Sequence, residues 1–489
     1  MVGASTDVSL IHGPRHLMME VLLARQVRSW RDPDGFVVEL DGRILRAVAP
    51  EKAGELRALL TEPWFKRFID AGSIPATIEI TDPGGEVPLA EGWVWFEHQR
   101  LRFPCYPHEI TALQLYDSAE LTLSIALEAT RNGWTLKDAS AWNVLYSEGR
   151  VVFVDLLSFE RTVPTGMWRA YGQFVGHFVL PLLLYRHIGL TPPEIFLIHR
   201  DGITPVRAFE SLHGVRLLSA TAIEHVLLPK FLARAGSRLI AAQTVNKPRI
   251  VNVQIAAAMP IATLRRLRRT ISRLRPDESK SVSVWKRYEE ERLHYSQADL
   301  QAKTEFVSSH LDEGGTVLDL GCNAGEFSFL AAEKGASVVA ADADHAALSR
   351  LYERIRGAKP RITPLMLNIG RPTPGIGWLN TEVDSFLGRS SGQFACVLAL
   401  GLLHHLLVSE RASLQMITAL FRQLSPQRLI VEWVDPSDPK FKELAGFDME
   451  LYRNLRPEML EEQLGGYFRL DSKMVLPCGT RVMYLWVRS

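Results

Sequence analysis

Short apolar runs and stretches of helical spacing alternate through the second half of the chain. Thr316 to Leu320 reads as a buried strand, Gly321 to Gly325 as a tight glycine turn, the residues up to Gly335 as a helix, and the next apolar run as a second strand that stops at Asp342. The pattern continues with a helix over His345 to Arg356, a strand from Thr363 to Leu367 ending at Asn368, and an apolar, doubly buried strand from Phe394 to Leu400. A helix over Ala412 to Leu424 and a strand from Leu429 to Val434 follow. Phe468 to Val475 and Arg481 to Val487, around Pro-Cys-Gly-Thr, predict a closing hairpin.

The first half patterns differently. Leu17, Val21 and Leu22 share one face of a helix that Asp32-Pro-Asp-Gly35 breaks. Phe36 to Leu40 and Ile44 to Val48 predict two strands joined by Asp41-Gly42, a type I′ turn signal. A helix over Glu51 to Leu60 and strands at Thr77 to Ile80 and Trp93 to Phe96 complete a small α+β lobe. A long helix, Tyr116 to Asn132, then leads into Trp134-Thr-Leu-Lys-Asp138-Ala-Ser-Ala-Trp-Asn143, a Ser-Glu-Gly-Arg turn and the strand Val151 to Asp155. Apolar helices are expected at Trp168 to Tyr185 and Ala222 to Leu232. Between the halves, Pro260 to Pro276 sets Leu264, Leu267, Ile271 and Leu274 at helical spacing among six arginines. That basic amphipathic helix reads either as a connector laid on one domain or as a contact for an anionic membrane surface or RNA.

Composition changes this picture little. At 489 residues and 47% hydrophobic, the chain is long enough for two or three domains with full cores. The 56 Lys and Arg balance 55 Asp and Glu, which gives no global electrostatic grip on nucleic acid. Four scattered cysteines without C-x-x-C spacing argue against a zinc ribbon or a disulfide framework and fit a reducing compartment. No signal-peptide pattern or transmembrane run is expected, and the protein reads as cytoplasmic.

The turn after the first strand of the second half carries the candidate chemistry. A parallel strand-turn-helix unit leaves backbone N–H groups bare at the helix start and binds ligands beyond the strand ends. Gly321 and Gly325 let the backbone approach a ligand, and Asp342, about 20 residues on, is placed to accept from ribose hydroxyls. The dinucleotide version of this turn, G-x-G-x-x-G, holds a pyrophosphate. Here Asp319 stands two residues before Gly321, where it would repel phosphate and suit a cationic amino-acid end. The expected ligand carries an amine and a ribose but no pyrophosphate.

With these residues the chain resembles the class I S-adenosylmethionine-dependent methyltransferases, whose first motif is acid-x-Gly-x-Gly-x-Gly and whose second strand ends in a ribose-binding acid. Asn323 departs from the pattern at the middle glycine, although asparagine tolerates positive φ. The resemblance implies an α/β fold with a seven-stranded Rossmann-like sheet closed by the antiparallel hairpin. It places adenine and ribose at Asp342 and Asn368, and the methionine end at Asp319 and the turn Gly321, Cys322, Asn323 and Gly325, with Leu400 completing the cofactor-binding set. It also implies acceptor chemistry after the fourth strand. There Gly401-Leu-Leu-His404-His405 lacks the Asn/Asp-Pro-Pro-Tyr of enzymes that methylate planar amino groups, and offers a histidine base for a hydroxyl-like nucleophile. One of the two histidines is open to a packing role beneath the cofactor. Glu432 is left as a residue that orients a histidine, binds substrate or is a satisfied strand-end acid. Trp285, Tyr288 and Tyr295 precede a lead helix expected from about Gln297 to Leu311, and are lid candidates or packing for that helix. Asn368-Ile-Gly-Arg-Pro-Thr-Pro-Gly-Ile-Gly-Trp378 and Leu-Lys-Asp138-Ala-Ser also look like a bacterial group related to rhizobial nodulation methyltransferases.

In the first half, Asp138, Asn143 five positions later and Asp155 at the end of a hairpin resemble the site of protein kinases and aminoglycoside-type phosphotransferases. The resemblance implies a catalytic Asp138, with Asn143 and Asp155 as magnesium ligands for Mg-ATP, in an α+β kinase-like bilobal domain. Leu136 and Lys137 replace the usual loop His and Arg, no glycine-rich loop precedes the match, and no V-A-I-K lysine is present. Arg46 and Lys52 are the nearest basic residues. A more distant parallel is the bifunctional kinase-methyltransferase that caps bacterial polysaccharides, with its domains in the opposite order. The domain reading is an N-terminal helical segment over 1–29, a kinase-like domain over 30–255, a basic linker helix over 256–280 and a methyltransferase domain over 281–489. The expected function is methyl transfer from S-adenosylmethionine to a nucleophile, with oxygen the expected atom, on a small-molecule, glycan or natural-product-type acceptor. Nucleic acid is not expected as a partner, and the front domain either presents substrate or supports Mg-ATP-dependent phosphorylation.

Overall fold

The computed structural model describes residues 27–29, 32–84, 92–162, 167–231, 253–277, 296–358 and 360–489. The helix expected at Leu17 to Leu22 and the aromatic lid candidates Trp285, Tyr288 and Tyr295 lie outside these residues.

The first half opens with a five-stranded antiparallel sheet. Its strands are β1 (Val27–Ser29), β2 (Gly35–Leu40), β3 (Arg43–Val48), β4 (Thr77–Ile80) and β5 (Val94–His98), in the order β1-β2-β3-β5-β4. The β2-β3 turn takes positive φ at both Asp41 (50°) and Gly42 (77°), as the type I′ signal requires. Helices α1 (Pro50–Thr61) and α2 (Pro63–Asp70) lie between β3 and β4. Next comes α3 (Ala112–Arg131), which starts four residues before the expected Tyr116. Thr111 caps it by accepting from the Gln114 N–H, and Gln114 Oε1 accepts from the Thr111 N–H at 2.8 Å, a reciprocal cap that hydrophobic spacing does not reveal. Two small ladders follow: β6 (Trp134–Leu136) with β9 (Phe159–Arg161), and β7 (Val144–Ser147) with β8 (Arg150–Phe153). A helical run from Tyr171, ending in α4 (Leu180–Ile188), forms the apolar base.

The basic helix α5 (Val253–Arg273) packs on α3. Leu264, Leu267 and Ile271 are fully buried and Leu274 is 3% exposed, so the apolar seam of this helix is occupied by its own chain. Arg266 pairs with Glu224 and Arg268 with Glu120, and beyond the helix Arg275 pairs with Glu353 of the second half. This is the connector reading of the amphipathic pattern.

The second half is a seven-stranded sheet preceded by α6 (Gln297–His310). Its strands are β10 (Thr316–Leu320), β11 (Ser337–Asp342), β12 (Ile362–Met366), β13 (Cys396–Ala399), β14 (Arg428–Val434), β15 (Phe468–Val475) and β16 (Arg481–Arg488), in the order β12-β11-β10-β13-β14-β16-β15. β10 to β14 pair in parallel, and β16 runs antiparallel to both β14 and β15, closing the sheet as a hairpin with β15. Helices α7 (Glu326–Glu333), α8 (His345–Ile355), α9 (Leu403–Val408), α10 (Leu414–Leu424), α11 (Pro439–Ala445) and α12 (Pro457–Leu464) connect the strands. The parallel strands are buried along nearly their whole length, which is why they read as continuous apolar runs rather than alternating ones.

The two halves share a buried contact. β12 is an edge strand, and the first half covers it: Gln114 Nε2 donates to the Pro364 carbonyl at 3.2 Å, and the Cys105 thiol donates to the same oxygen at 3.5 Å. The Glu148 N–H donates to Thr363 Oγ1 at 2.8 Å. Asp117 receives Arg356 in a two-pronged ion pair at 2.6 and 2.7 Å and the Tyr352 hydroxyl at 2.5 Å. Deeper still, Glu109, 1% exposed, is held by the Arg389 guanidinium and accepts from Thr373 Oγ1 at 2.8 Å. Among the described residues no helix is long and apolar enough to cross a membrane.

Candidate active site

Register places the site. Leu320 pairs with Ala341 on one side and Ala399 on the other, so the segments leaving β10, β11 and β13 emerge side by side at one end of the sheet. A cavity of about 690 Å³ opens there, lined by Asp319, the Gly321 to Ala324 turn, Asp342, Asn368, Leu400 and His405 among others.

The turn adopts the conformation its residues permit. Gly321 (φ 74°), Asn323 (φ 49°) and Gly325 (φ 84°) all sit in the left-handed region. A Cβ on Gly325 would also lie 2.5 Å from Leu351 Cδ1, so this glycine serves both the turn and the close seating of α8. Gly325 stands behind the turn and Cys322 within it, and Cys322 lines the cavity. Burial pushes the Cys322 thiol up, so it acts there as an apolar wall.

The two acids selected from the sequence meet in this cavity. Asp342 accepts from the Asn323 N–H at 2.7 Å and the Asp344 N–H at 2.8 Å, which fixes its carboxylate at the end of β11; burial raises its pKa against these two donors. Asp319 accepts from Ser328 Oγ at 2.6 Å, and burial pushes its carboxyl up to about 6, with the nearby Asp342 adding to the rise. Asn323 Oδ1 is buried without a hydrogen-bond partner among the described residues. An uncommitted acceptor beside two buried carboxylates is a set of acceptors for a ligand carrying N–H or O–H groups and positive charge, and it fits S-adenosylmethionine.

Asn368 lines the cavity, but its amide is partly committed. Oδ1 accepts from the Gly370 N–H at 2.8 Å and Nδ2 donates to Glu410 at 3.1 Å, so the expected contact with the adenine edge competes with the loop's own bonds. Glu410, which also pairs with Arg371, is a lining residue that the sequence reading missed; it lies in a turn between helices, where no strand end points to it.

The histidines divide. His405 lines the cavity, and burial brings its pKa down to about 4. His404 is not on the wall. It is 2% exposed, its ring lies tilted 4.2 Å from that of His405 and 6.4 Å from that of Phe441, Nδ1 has no partner among the described residues, and its pKa is lowered to about 3 by burial and then by His405. Glu432 is fully buried, receiving Lys303 Nζ at 2.7 Å and Arg481 at 3.4 Å, which is the satisfied strand-end acid of the three alternatives.

Residues 292–464 match a family model described as a methyltransferase domain. The second half is a methyltransferase domain, and the protein is a methyltransferase. The enzyme is 27% identical over 476 residues to the nodulation protein NoeA of Rhizobium meliloti (strain 1021), spanning 95% of this chain and 96% of that one. Among solved structures, the magnesium protoporphyrin IX methyltransferase of Synechocystis PCC 6803 with bound SAH is 17% identical, covering 39% of this chain and 84% of that one with a TM-score of 0.29. A crystal structure of WbdD is 23% identical, covering 39% of each chain with a TM-score of 0.29. Another WbdD structure is described as that of a bifunctional kinase-methyltransferase.

In the first half, Asp138, Asn143 and Asp155 are brought near one another by the β7-β8 hairpin: the Val154 N–H donates to the Asn143 carbonyl at 2.9 Å, and Asp138 adds electrostatically to the raised pKa that burial gives Asp155. Arg46, on β3, reaches Asp155 at 3.4 Å and the Val154 carbonyl at 3.3 Å, while Lys52 pairs with Glu55 on its own helix. Lys137 is held by Asp34 at 2.8 Å and Asp32 at 3.7 Å. Among the described residues no group of three or more His, Cys, Asp and Glu surrounds a metal position.

Proposed function

We propose that the methyl acceptor is an oxygen nucleophile on a small-molecule or glycan acceptor, and that it meets the cofactor beside His405. The observation that carries this reading is a neutral imidazole on the wall of the cavity that holds Asp319 and Asp342. When bound, S-adenosylmethionine supplies the methyl group on a good leaving group, so the protein's part is mostly alignment. Asp342 and Asn323 hold the ribose and the turn, Asp319 faces the positive end, and Leu400 and Cys322 keep water out. His405, neutral at cellular pH, accepts the acceptor's proton through an imidazole nitrogen. A cavity of about 690 Å³ that also seats the cofactor supports an acceptor, or acceptor end, of small-molecule size. The four unpaired cysteines support a reducing, cytoplasmic setting.

The N-terminal domain is read as kinase-like and degenerate, positioning the acceptor or the second domain without nucleotide chemistry. The residues present do not fit Mg-ATP. The Asp155 carboxylate that would bind magnesium is paired with Arg46, and the segment entering β2, which in a kinase-like lobe would cover the phosphates, carries Asp32 and Asp34. Two carboxylates there repel phosphate. These ion pairs favour this reading over phosphoryl transfer at Asp138, Asn143 and Asp155.

Labelled-methyl transfer into extract of a deletion strain, fractionated by size and polarity, tests the acceptor class. Wild-type enzyme is expected to label a polar, non-proteinaceous product as a base-stable ether. His405→Asn should lower the turnover number by about a hundredfold while cofactor affinity stays unchanged. Label in protein or nucleic acid, or full activity of the variant, would overturn the assignment.

A further inference from the structure

The apolar seam of α5 faces the chain, and its opposite face carries cations that the fold does not neutralise. Glu224, Glu120 and Glu353 take up Arg266, Arg268 and Arg275. Arg265, Arg269 and Arg273 are exposed, and among the described residues their guanidiniums have no ion-pair partner. Spaced four residues apart, they form one stripe about 12 Å long on the side away from Leu264, Leu267 and Ile271.

The stripe runs into further positive charge. The Arg186 guanidinium, at the end of α4, donates to the Arg273 carbonyl. Burial, then the charges of Arg186 and Arg216, lower the pKa of the neighbouring His187, so both arginines stand near the end of α4. Arg216 lies in the exposed turn Gly214–Leu218, between Val215, 81% exposed, and Leu218, 69% exposed. That turn packs on the helical turn Ile223–Leu227, whose Glu224 holds Arg266 of α5 at 3.0 Å. Arg186, Arg216 and the stripe on α5 thus border two exposed aliphatic side chains.

We propose that this surface docks on an anionic phospholipid bilayer, with the arginines over the headgroup phosphates and Val215 and Leu218 entering the acyl boundary. Charge complementarity selects an anionic partner, and with 56 Lys and Arg against 55 Asp and Glu in the whole chain the attraction is local to this face. The aliphatic pair selects lipid over nucleic acid, because valine and leucine enter an acyl layer but offer a base no stacking face. Stable attachment takes two such signals, basic attraction and apolar insertion, and both are present here. The contact is peripheral, since among the described residues no helix is long and apolar enough to cross a membrane.

Flotation of the full chain with vesicles of phosphatidylcholine alone, or containing about 30% phosphatidylserine, tests this. Wild-type protein should bind the anionic vesicles about a hundredfold or more tightly than the neutral ones at low salt, and lose most of that preference at about 0.5 M salt. Arg265→Gln, Arg269→Gln and Arg273→Gln together should weaken anionic-vesicle binding by about a hundredfold, about fivefold per arginine, with an unchanged thermal midpoint. Val215→Ser with Leu218→Ser should weaken it by about tenfold or more and leave the salt dependence intact. Equal wild-type binding to the two vesicle types, or a triple variant that binds like wild type, overturns the proposal. Tighter binding to single-stranded RNA of mixed sequence than to the anionic vesicles at equal salt overturns it too, and assigns the stripe to nucleic acid. Should the triple variant not fold, the pair in the exposed turn decides, and undiminished vesicle binding by Val215→Ser with Leu218→Ser refutes the site.

Discussion

Asp319 is a buried carboxyl whose ionisation waits for a positive partner. With its pKa pushed up to about 6, the group is largely neutral at pH 5 and ionised at pH 7.5. The sign for folding follows: a raised carboxyl adds stability that is complete below the ordinary Asp value of about 3.9 and is lost as pH rises through about 6. For a cationic ligand the sign reverses, because binding favours the ionised form. Cofactor affinity should therefore strengthen as pH rises from 5 to 7.5, approaching tenfold per unit below the pKa, and Asp319→Asn should weaken binding and flatten the dependence. Calorimetry at several pH values checks this; equal slopes for wild type and variant would remove Asp319 from the binding pocket. His405 contributes no titration in this window, since its lowered pKa leaves it neutral throughout. Both shifts come from burial, which depends on packing that no motif records. Asp319 was legible as a site acid, but its protonation state was not.

Among the elements, those with strong local signals formed where expected. The β2-β3 hairpin follows Asp41-Gly42, and the β10-turn-α7-β11 unit follows its glycines. The lead helix α6 was legible, but Lys303 was not, because a lysine on a polar helix reads as solvated surface until the strands behind it are in place. Arg46 shows the same limit. Its sequence context resembles no nucleotide-binding lysine, yet β3 carries it to Asp155 across more than a hundred residues of chain. A cleft already closed by Arg46–Asp155 and Lys137–Asp34 should not respond to nucleotide. In thermal unfolding, S-adenosylmethionine at a hundred times its dissociation constant should stabilise the protein by about 2.7 kcal/mol, while millimolar Mg-ATP produces no shift. A comparable shift with Mg-ATP would reopen phosphoryl transfer at Asp138, Asn143 and Asp155.

For the whole molecule, the decisive contact is the seating of the first half on the β12 edge. Burial alone would raise the Glu109 carboxyl, but Arg389 and His108 hold it below the ordinary carboxylate range, so the buried pair is charged. Breaking it leaves an uncompensated charge. Arg389→Ala should cost about 3–5 kcal/mol in denaturant unfolding, and replacing both partners with apolar residues should cost less than either single change. A loss under about 1 kcal/mol for the single variant would show the interface to be dispensable. Trp142, adjoining Asn143, donates to the Arg200 carbonyl at 2.9 Å, and Arg200 pairs with Glu382 in the segment that begins at Asn368. The loop that carries Asp138 and Asn143 thus leans on the chain that leaves the cavity. The sequence by itself determined the parallel sheet, its antiparallel closure, the glycine turn and the two acids that end neighbouring strands, because each is written in residues close in the chain and set by backbone sterics and hydrophobic period. Only the tertiary structure decided that His405 and not His404 faces the cavity, that Glu432 is spent on Lys303 and Arg481, and that the first half covers the open sheet edge. Those outcomes depend on burial and on charges brought together from distant segments, and no local pattern encodes either.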